Sequence, residues 1–212
     1  MIDLHRFEDQ IRELEQYPVE TGKVLLYGSS FFHKWGYEQA KNHWQTLTKG
    51  EFSAVNHGFG GATVEELLYY YHRLVTPYAP SAVVFRTGLN DLYHLKPREA
   101  FFLTERLFDW VKNDFPHIPL IAIKCFDTPF ASTEFTKELW RYNEMLEELA
   151  ENDPRVFTVD LDPFVYKTAE DIGTGKNFRD IFIADGLHLT QQGYEEMAQF
   201  LIPKVHKLLL AP

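Results

Sequence analysis

Along this chain, short uninterrupted apolar runs alternate with longer segments whose apolar positions recur every three or four residues. The short runs are "KVLLYG" (23–28), "FSAVNHG" (52–58), "SAVVFRTG" (81–88), "PLIAIKC" (119–125) and "RVFTVDL" (155–161). Apolar stretches of this length that stop at turn residues read as strands covered on both faces. Between them lie segments of helical period: 31–47, interrupted by Gly36; 63–78; 97–115; 131–152; and 190–210, with a break or kink expected near Pro203. Thr63 is placed to cap its helix, with Glu65 and Glu66 in the first turn where carboxylates suit the helix dipole. Pro97 opens the next helix at a position where its missing N–H costs nothing. Strand–helix alternation of this kind predicts a parallel sheet with right-handed crossovers. The expected fold is therefore α/β, a three-layer α/β/α arrangement around a five-stranded parallel sheet. Residues 1–212 read as a single domain, with residues 1–20 forming a peripheral N-terminal helix.

Composition narrows the range of partners. The 212 residues carry a formal net charge of −10 that is not gathered into a tail. An acidic surface repels nucleic acid and anionic membranes, so neither is expected as a partner. Cys125 is the only cysteine, which excludes an intrachain disulfide and a thiolate zinc cluster. The first 20 residues contain no signal-peptide core, and no run approaches 18 apolar residues. A soluble, cytoplasmic protein is the expectation.

The polar clusters sit just after strands or before the last helix: "GSS" (28–30), "NHGFGGAT" (56–63), "GLND" (88–91) and "DGLH" (185–188). In a parallel sheet the carboxyl ends of the strands share one edge, where such folds bind ligands. Each cluster has an ordinary structural reading. A serine after a strand commonly caps the next helix, "GLND" is rich in turn formers, and "DGLH" suits a surface loop. "GFGGAT" is not a dinucleotide loop, because Thr63 stands where the last glycine belongs and the segment follows the second strand rather than the first. Together, however, the clusters hold the parts of a serine esterase. These are a hydroxyl at Ser29 or Ser30, a base at His188, Asp185 three residues away to orient it, and glycine and asparagine donors for an oxyanion. A metal-dependent hydrolase fits less well, since no HExxH-like or multi-histidine spacing is present.

The four blocks, in this order, resemble those of the SGNH (GDSL-type) hydrolases. "GSS…W", "N-x-G-F-G-G" and "DGLHLT" are similar to the group related to platelet-activating-factor acetylhydrolase subunits. The resemblance runs from about Val24 to the final helix and implies a flavodoxin-like fold and esterase or acylhydrolase activity. It makes Ser30 the nucleophile, with Ser29 where the family usually has aspartate, and pairs it with His188 and Asp185. It assigns the oxyanion hole to the Ser30 N–H, Gly61 and Asn90. Ser29 and His57 are candidate substrate contacts, with no metal and no cofactor. The implied substrate is a small acyl ester with a short, acetyl-like acyl group, an acetylated carbohydrate among the options. Related proteins associate, which leaves a homo-oligomer open, and a binding-only relative with the same fold is the alternative. Arg86, unusual inside a strand, either pairs with a nearby carboxylate or reaches toward the pocket, and the pairing is the expectation. Asp91 is expected to stabilise its turn, and Cys125 to be a buried small residue.

Overall fold

The computed structural model describes residues 3–210. Its elements, in chain order, are α1 (Glu8–Leu14), β1 (Val24–Gly28), α2 (Ser30–Trp35), α3 (Tyr37–Leu47), β2 (Ala54–Gly58), α4 (Val64–Leu74), β3 (Ala82–Arg86), α5 (Pro97–Asp114), β4 (Leu120–Ile123), α6 (Thr133–Asn152), β5 (Val156–Val159), α7 (Asp162–Val165) and α8 (Gln191–Leu209). The strands form one sheet in the order β2-β1-β3-β4-β5. All four pairings are parallel. This is the flavodoxin-like order, and the strand direction of travel reverses between β1 and β3.

Alternation along the strands builds two cores. Leu25, Tyr27, Val55, Val83 and Phe85 face a layer that contains α1, α4, α5 and α6. Val24, Leu26, Ala54, Val84 and Ile121 face α2, α3, α7 and α8. Both faces are covered, which is why the strands read as continuous apolar runs rather than as alternating ones. The two largest fully buried side chains, Trp35 and Trp44, belong to the second core.

Two features differ from the sequence reading. The N-terminal helix is shorter than residues 1–20, and its segment is not merely peripheral: Ile11 is fully buried and Phe7 nearly so. The last helix runs unbroken through Pro203. Proline removes the bond to the carbonyl four residues earlier. Gln199 and Pro203 are both exposed, so water can serve that carbonyl, while Leu201, Ile202 and Val205 stay fully buried and hold the helix to the sheet.

Glycine sets how closely α2 approaches the sheet. A Cβ at Gly58 would lie 2.4 Å from Phe32 Cβ and 2.5 Å from the His33 nitrogen. One at Gly28 would lie 2.5 Å from the Arg86 carbonyl oxygen. The helix that begins at Ser30 therefore rests directly on bare backbone at the strand ends. Gly58→Ala should lower unfolding stability by about 1–3 kcal/mol through overpacking. The check is a lower denaturant midpoint at unchanged slope; an unchanged midpoint would mean that α2 has room to move.

Candidate active site

Ser29 and Ser30 occupy the turn between β1 and α2. Ser29 takes the N-cap position, yet its side chain makes no capping bond. Its carbonyl closes the turn by accepting from the Phe32 and His33 N–H groups at 3.1 and 3.2 Å. The Ser30 hydroxyl does not cap either, and its oxygen lies 2.9 Å from His188 Nε2. The ring's other nitrogen, Nδ1, lies 2.7 Å from Asp185 Oδ2. A carboxylate only accepts, so Nδ1 carries the proton and Nε2 of the neutral ring is free to accept from the serine.

The loop before α8 holds this pair in shape. Asp185 Oδ1 accepts from the Leu187 and His188 N–H groups at 2.8 and 2.9 Å. Gly186, at φ +65°, makes the tight turn between them. The Ile183 N–H donates to the His188 carbonyl at 2.8 Å. Thr190 then caps α8 through the Gly193 N–H. Further along, the Tyr194 hydroxyl donates to the Phe31 carbonyl at 2.9 Å, tying α8 to the helix that bears Ser30. Partial burial would raise the Asp185 pKa, but the His188 N–H, its ring and the Leu187 N–H outweigh this and hold it down to about 2. The carboxylate is thus charged at any pH at which the fold would operate.

Gly61 and Asn90 follow β2 and β3, the two strands that flank β1. The Asn90 amide donates to the Ala62 carbonyl at 2.8 Å, joining the two loops and leaving its second hydrogen uncommitted. Gly61 has φ +72°, a conformation suited to glycine, and its N–H has no partner among the described residues. Asp91 does more than stabilise its own turn: Oδ1 accepts from Val64 N–H at 2.9 Å, at the start of α4. Burial raises its pKa to about 6, the Val64 bond opposing.

Ser29, Ser30 and His188 line a narrow cleft with about 20 Å³ of free space, whose other walls include Phe31, Phe126, Leu187 and Tyr194. Arg86 also lines it, and no carboxylate pairs with it among the described residues; its side-chain partner is the Cys125 sulfur. That corrects the expected ion pair. Asn56 is structural, donating to the Phe32 and Gly36 carbonyls and accepting from Gly58 N–H.

His57 does not reach the site. It is fully buried in the α4 layer, with Nδ1 2.6 Å from the Leu74 carbonyl and its ring edge-on to Tyr78 at 4.2 Å. Neighbouring strand residues point to opposite faces, so Asn56 and His57 cannot both turn toward α2. Two residues that sequence reading did not single out hold the glycine loop: Gln10 accepts from Gly60 N–H at 2.9 Å, and Arg6 donates to the Gly61 carbonyl at 3.2 Å. Nothing local marks these contacts, which span at least 50 positions. Among the described residues, no three His, Cys, Asp or Glu side chains converge to hold a metal ion, and no helix is long and apolar enough to cross a membrane.

Residues 26–196 match the family described as GDSL-like lipase/acylhydrolases. No curated protein matches the sequence. Solved structures with a similar fold include a GDSL-like lipase from Bacteroides thetaiotaomicron, with TM-score 0.75 and 16% identity over 97% of this chain and 100% of that one. A protein from Streptococcus pneumonia, provisionally named as a platelet activating factor, has TM-score 0.74 and 19% identity over 97% and 92%. An acetylxylan esterase from Geobacillus stearothermophilus has TM-score 0.67 and 17% identity over 89% and 96%. At these identities the likeness establishes the fold.

Burial lowers the His57 pKa to about 4, its bond to the Leu74 carbonyl opposing the shift. The folded state thus keeps the ring neutral where the unfolded chain protonates it near pH 6.5. The stability it contributes is complete above pH 6.5 and is lost as pH falls toward 4. Replacing it by Phe should remove that dependence: the stability gap between wild type and His57→Phe should change by about 2–3 kcal/mol between pH 7.5 and 4.5. Denaturant titrations at both pH values measure it, and a constant gap would mean that the ring is protonated in the fold.

Proposed function

The chain belongs to the GDSL-like lipase/acylhydrolase family, and from that premise we propose that it is a serine esterase acting on a short-chain ester. The observation that carries this reading is the relay from Ser30 to His188 at 2.9 Å and from His188 to Asp185 at 2.7 Å. A hydroxyl, a neutral imidazole accepting from it and a carboxylate fixing the ring's tautomer are what acyl transfer requires.

In this reading His188 Nε2 takes the proton of Ser30 as Oγ attacks the ester carbonyl. Asp185 stays ionised and stabilises the imidazolium that forms. The Ser30 N–H, the Gly61 N–H and the second hydrogen of the Asn90 amide receive the oxyanion. His188 returns the proton to the departing alcohol, and water repeats the sequence to release the acid. Ser29 borders the cleft next to the nucleophile and is a candidate contact for the substrate.

The narrowness of the cleft beside Ser30 favours a short acyl group. A carbohydrate hydroxyl is the alcohol class suggested by fold neighbours named as acetylxylan esterases.

The test is hydrolysis of a p-nitrophenyl ester series from acetate to decanoate by wild type, Ser30→Ala and Asn90→Ala. Rates should fall with chain length. Asn90→Ala should lose on the order of 10²–10³ in kcat, and Ser30→Ala should lose more. Ser30→Ala retaining wild-type turnover while Ser29→Ala loses it would shift the nucleophile by one residue.

A further inference from the structure

The cleft beside Ser30 holds one charge that this chemistry does not use. Arg86 ends β3 opposite Gly28 in the sheet register and is only 3% exposed. A guanidinium stays protonated in a protein, and a buried charge needs a counter-charge or a full set of acceptors. Arg86 has neither among the described residues. Nη1 donates to Cys125 Sγ at 2.8 Å, and Nε is buried without a partner. Phe126 and Phe31 lie 5.0 and 5.7 Å from the guanidinium carbon, which fixes the group between two rings without neutralising it.

The nearby acids are committed elsewhere. Burial raises the Cys125 thiol more than Arg86 lowers it, and Sγ donates to the Thr87 carbonyl at 3.2 Å, so the sulfur is a thiol rather than a thiolate. Asp185 holds His188. Asp91 holds Val64 N–H. Asp127 accepts from Thr136 and Tyr166, and Asp162 from Asp127 N–H. The remaining walls between Arg86 and the nucleophile are mostly apolar: Phe31, Leu89, Phe126, Leu187 and Leu189.

We propose that Arg86 is the specificity residue of this cleft, receiving the terminal carboxylate of a short acyl group whose ester carbon lies at Ser30. The inference rests on the esterase reading and deepens it. The substrate class is a half-ester of a short dicarboxylic acid, its methylenes lying along the apolar walls. The carboxylate belongs to the acyl side because the alcohol must depart before water enters. A buried ion pair suits the portion that stays on the enzyme. The net charge of −10 does not oppose this, since exposed charges beyond about 8 Å are screened at physiological salt.

The experiment compares kcat/KM for monoethyl succinate with that for ethyl butyrate, followed by proton release, in wild type, Arg86→Met and Arg86→Lys. In parallel, Ser30→Ala, with and without Arg86→Met, is titrated with succinate and with butyrate by calorimetry. Wild type should prefer the half-ester on the order of 10- to 100-fold, as a charge-assisted contact predicts. Arg86→Met should collapse that ratio, and Arg86→Lys should keep part of it. If Arg86→Met does not fold, the wild-type ratio and the lysine variant still decide. Equal or better use of ethyl butyrate by wild type, with the ratio unmoved in either variant, overturns the proposal and leaves the esterase reading standing. Succinate binding that depends on Arg86, without cleavage of either ester, upholds the anion site and removes the esterase reading. Neither binding nor preference overturns the site.

Discussion

The contact of 2.9 Å between His188 and Ser30 joins side chains 158 positions apart, and the rest of the fold is arranged so that it can form. A parallel sheet puts every strand's carboxyl end on one edge. The order β2-β1-β3 centres Ser30 between the loops that carry Gly61 and Asn90. Gly28 and Gly58 have no side chains, so α2 starts against the strand backbone and Ser30 is held by main chain rather than by rotamer choice. On the other side of the contact, the Tyr194–Phe31 hydrogen bond fixes α8 to α2. The two halves are therefore joined twice, once through the His188–Ser30 contact and once through a buried hydroxyl one helical turn beyond the histidine loop.

The charges around this contact sit in opposite environments. Asp185 is substantially exposed, and its acidity comes from N–H donors aimed at it, not from burial. In the proposed reaction it would therefore face an imidazolium at little desolvation cost. Arg86 is buried, ringed by aromatics and a thiol, and has no countercharge among the described residues. Exchanging the environments would defeat both: a buried Asp185 would resist ionisation, and an exposed Arg86 would be satisfied by water. Tyr142 helps keep the second environment in register. Its hydroxyl lies between Thr87 and Thr104, and its ring fills the space a side chain at Gly88 would need, 2.3 Å from the position of a Cβ there. The backbone that follows Arg86 has little freedom to relax away from the charge.

The sheet was readable because burial on both faces leaves continuous apolar runs, and the blocks were readable because the chemistry restricts residue type at each turn. Ser30, His188 and Asp185 meet as their blocks suggested, with Asn90 and Gly61 on the two flanking loops. His57 misled because it adjoins Asn56 in the block, although strand alternation alone puts the two on opposite faces. Arg86 misled for a different reason. An arginine inside an apolar strand invites a carboxylate partner, and nothing local indicates that the segment just after the neighbouring strand supplies a cysteine instead. Pro203 suggests a break on propensity alone, whereas the buried packing of Leu201, Ile202 and Val205 keeps the helix continuous. The part least accessible to sequence reading was the N-terminal segment, whose polar residues resemble any solvated helix.

That segment bears directly on the glycine loop. Glu66 is completely buried, accepts from the Thr63 N–H and hydroxyl at the start of α4, and needs a cation. Arg6 provides it at 2.5 Å and with another nitrogen donates to the Gly61 carbonyl. Gln10 accepts from the Gly60 N–H. These contacts fix the peptide units on either side of the one that carries the Gly61 N–H. The Gly61 N–H between them has no partner among the described residues. A seven-residue helix has little stability of its own, so α1 must in turn be anchored, and Arg73 does this through Glu8 and Glu15. An oxyanion donor is effective to the extent that it is oriented before charge develops. In the esterase reading proposed above, the charge network that docks α1 is what orients the Gly61 N–H for that task.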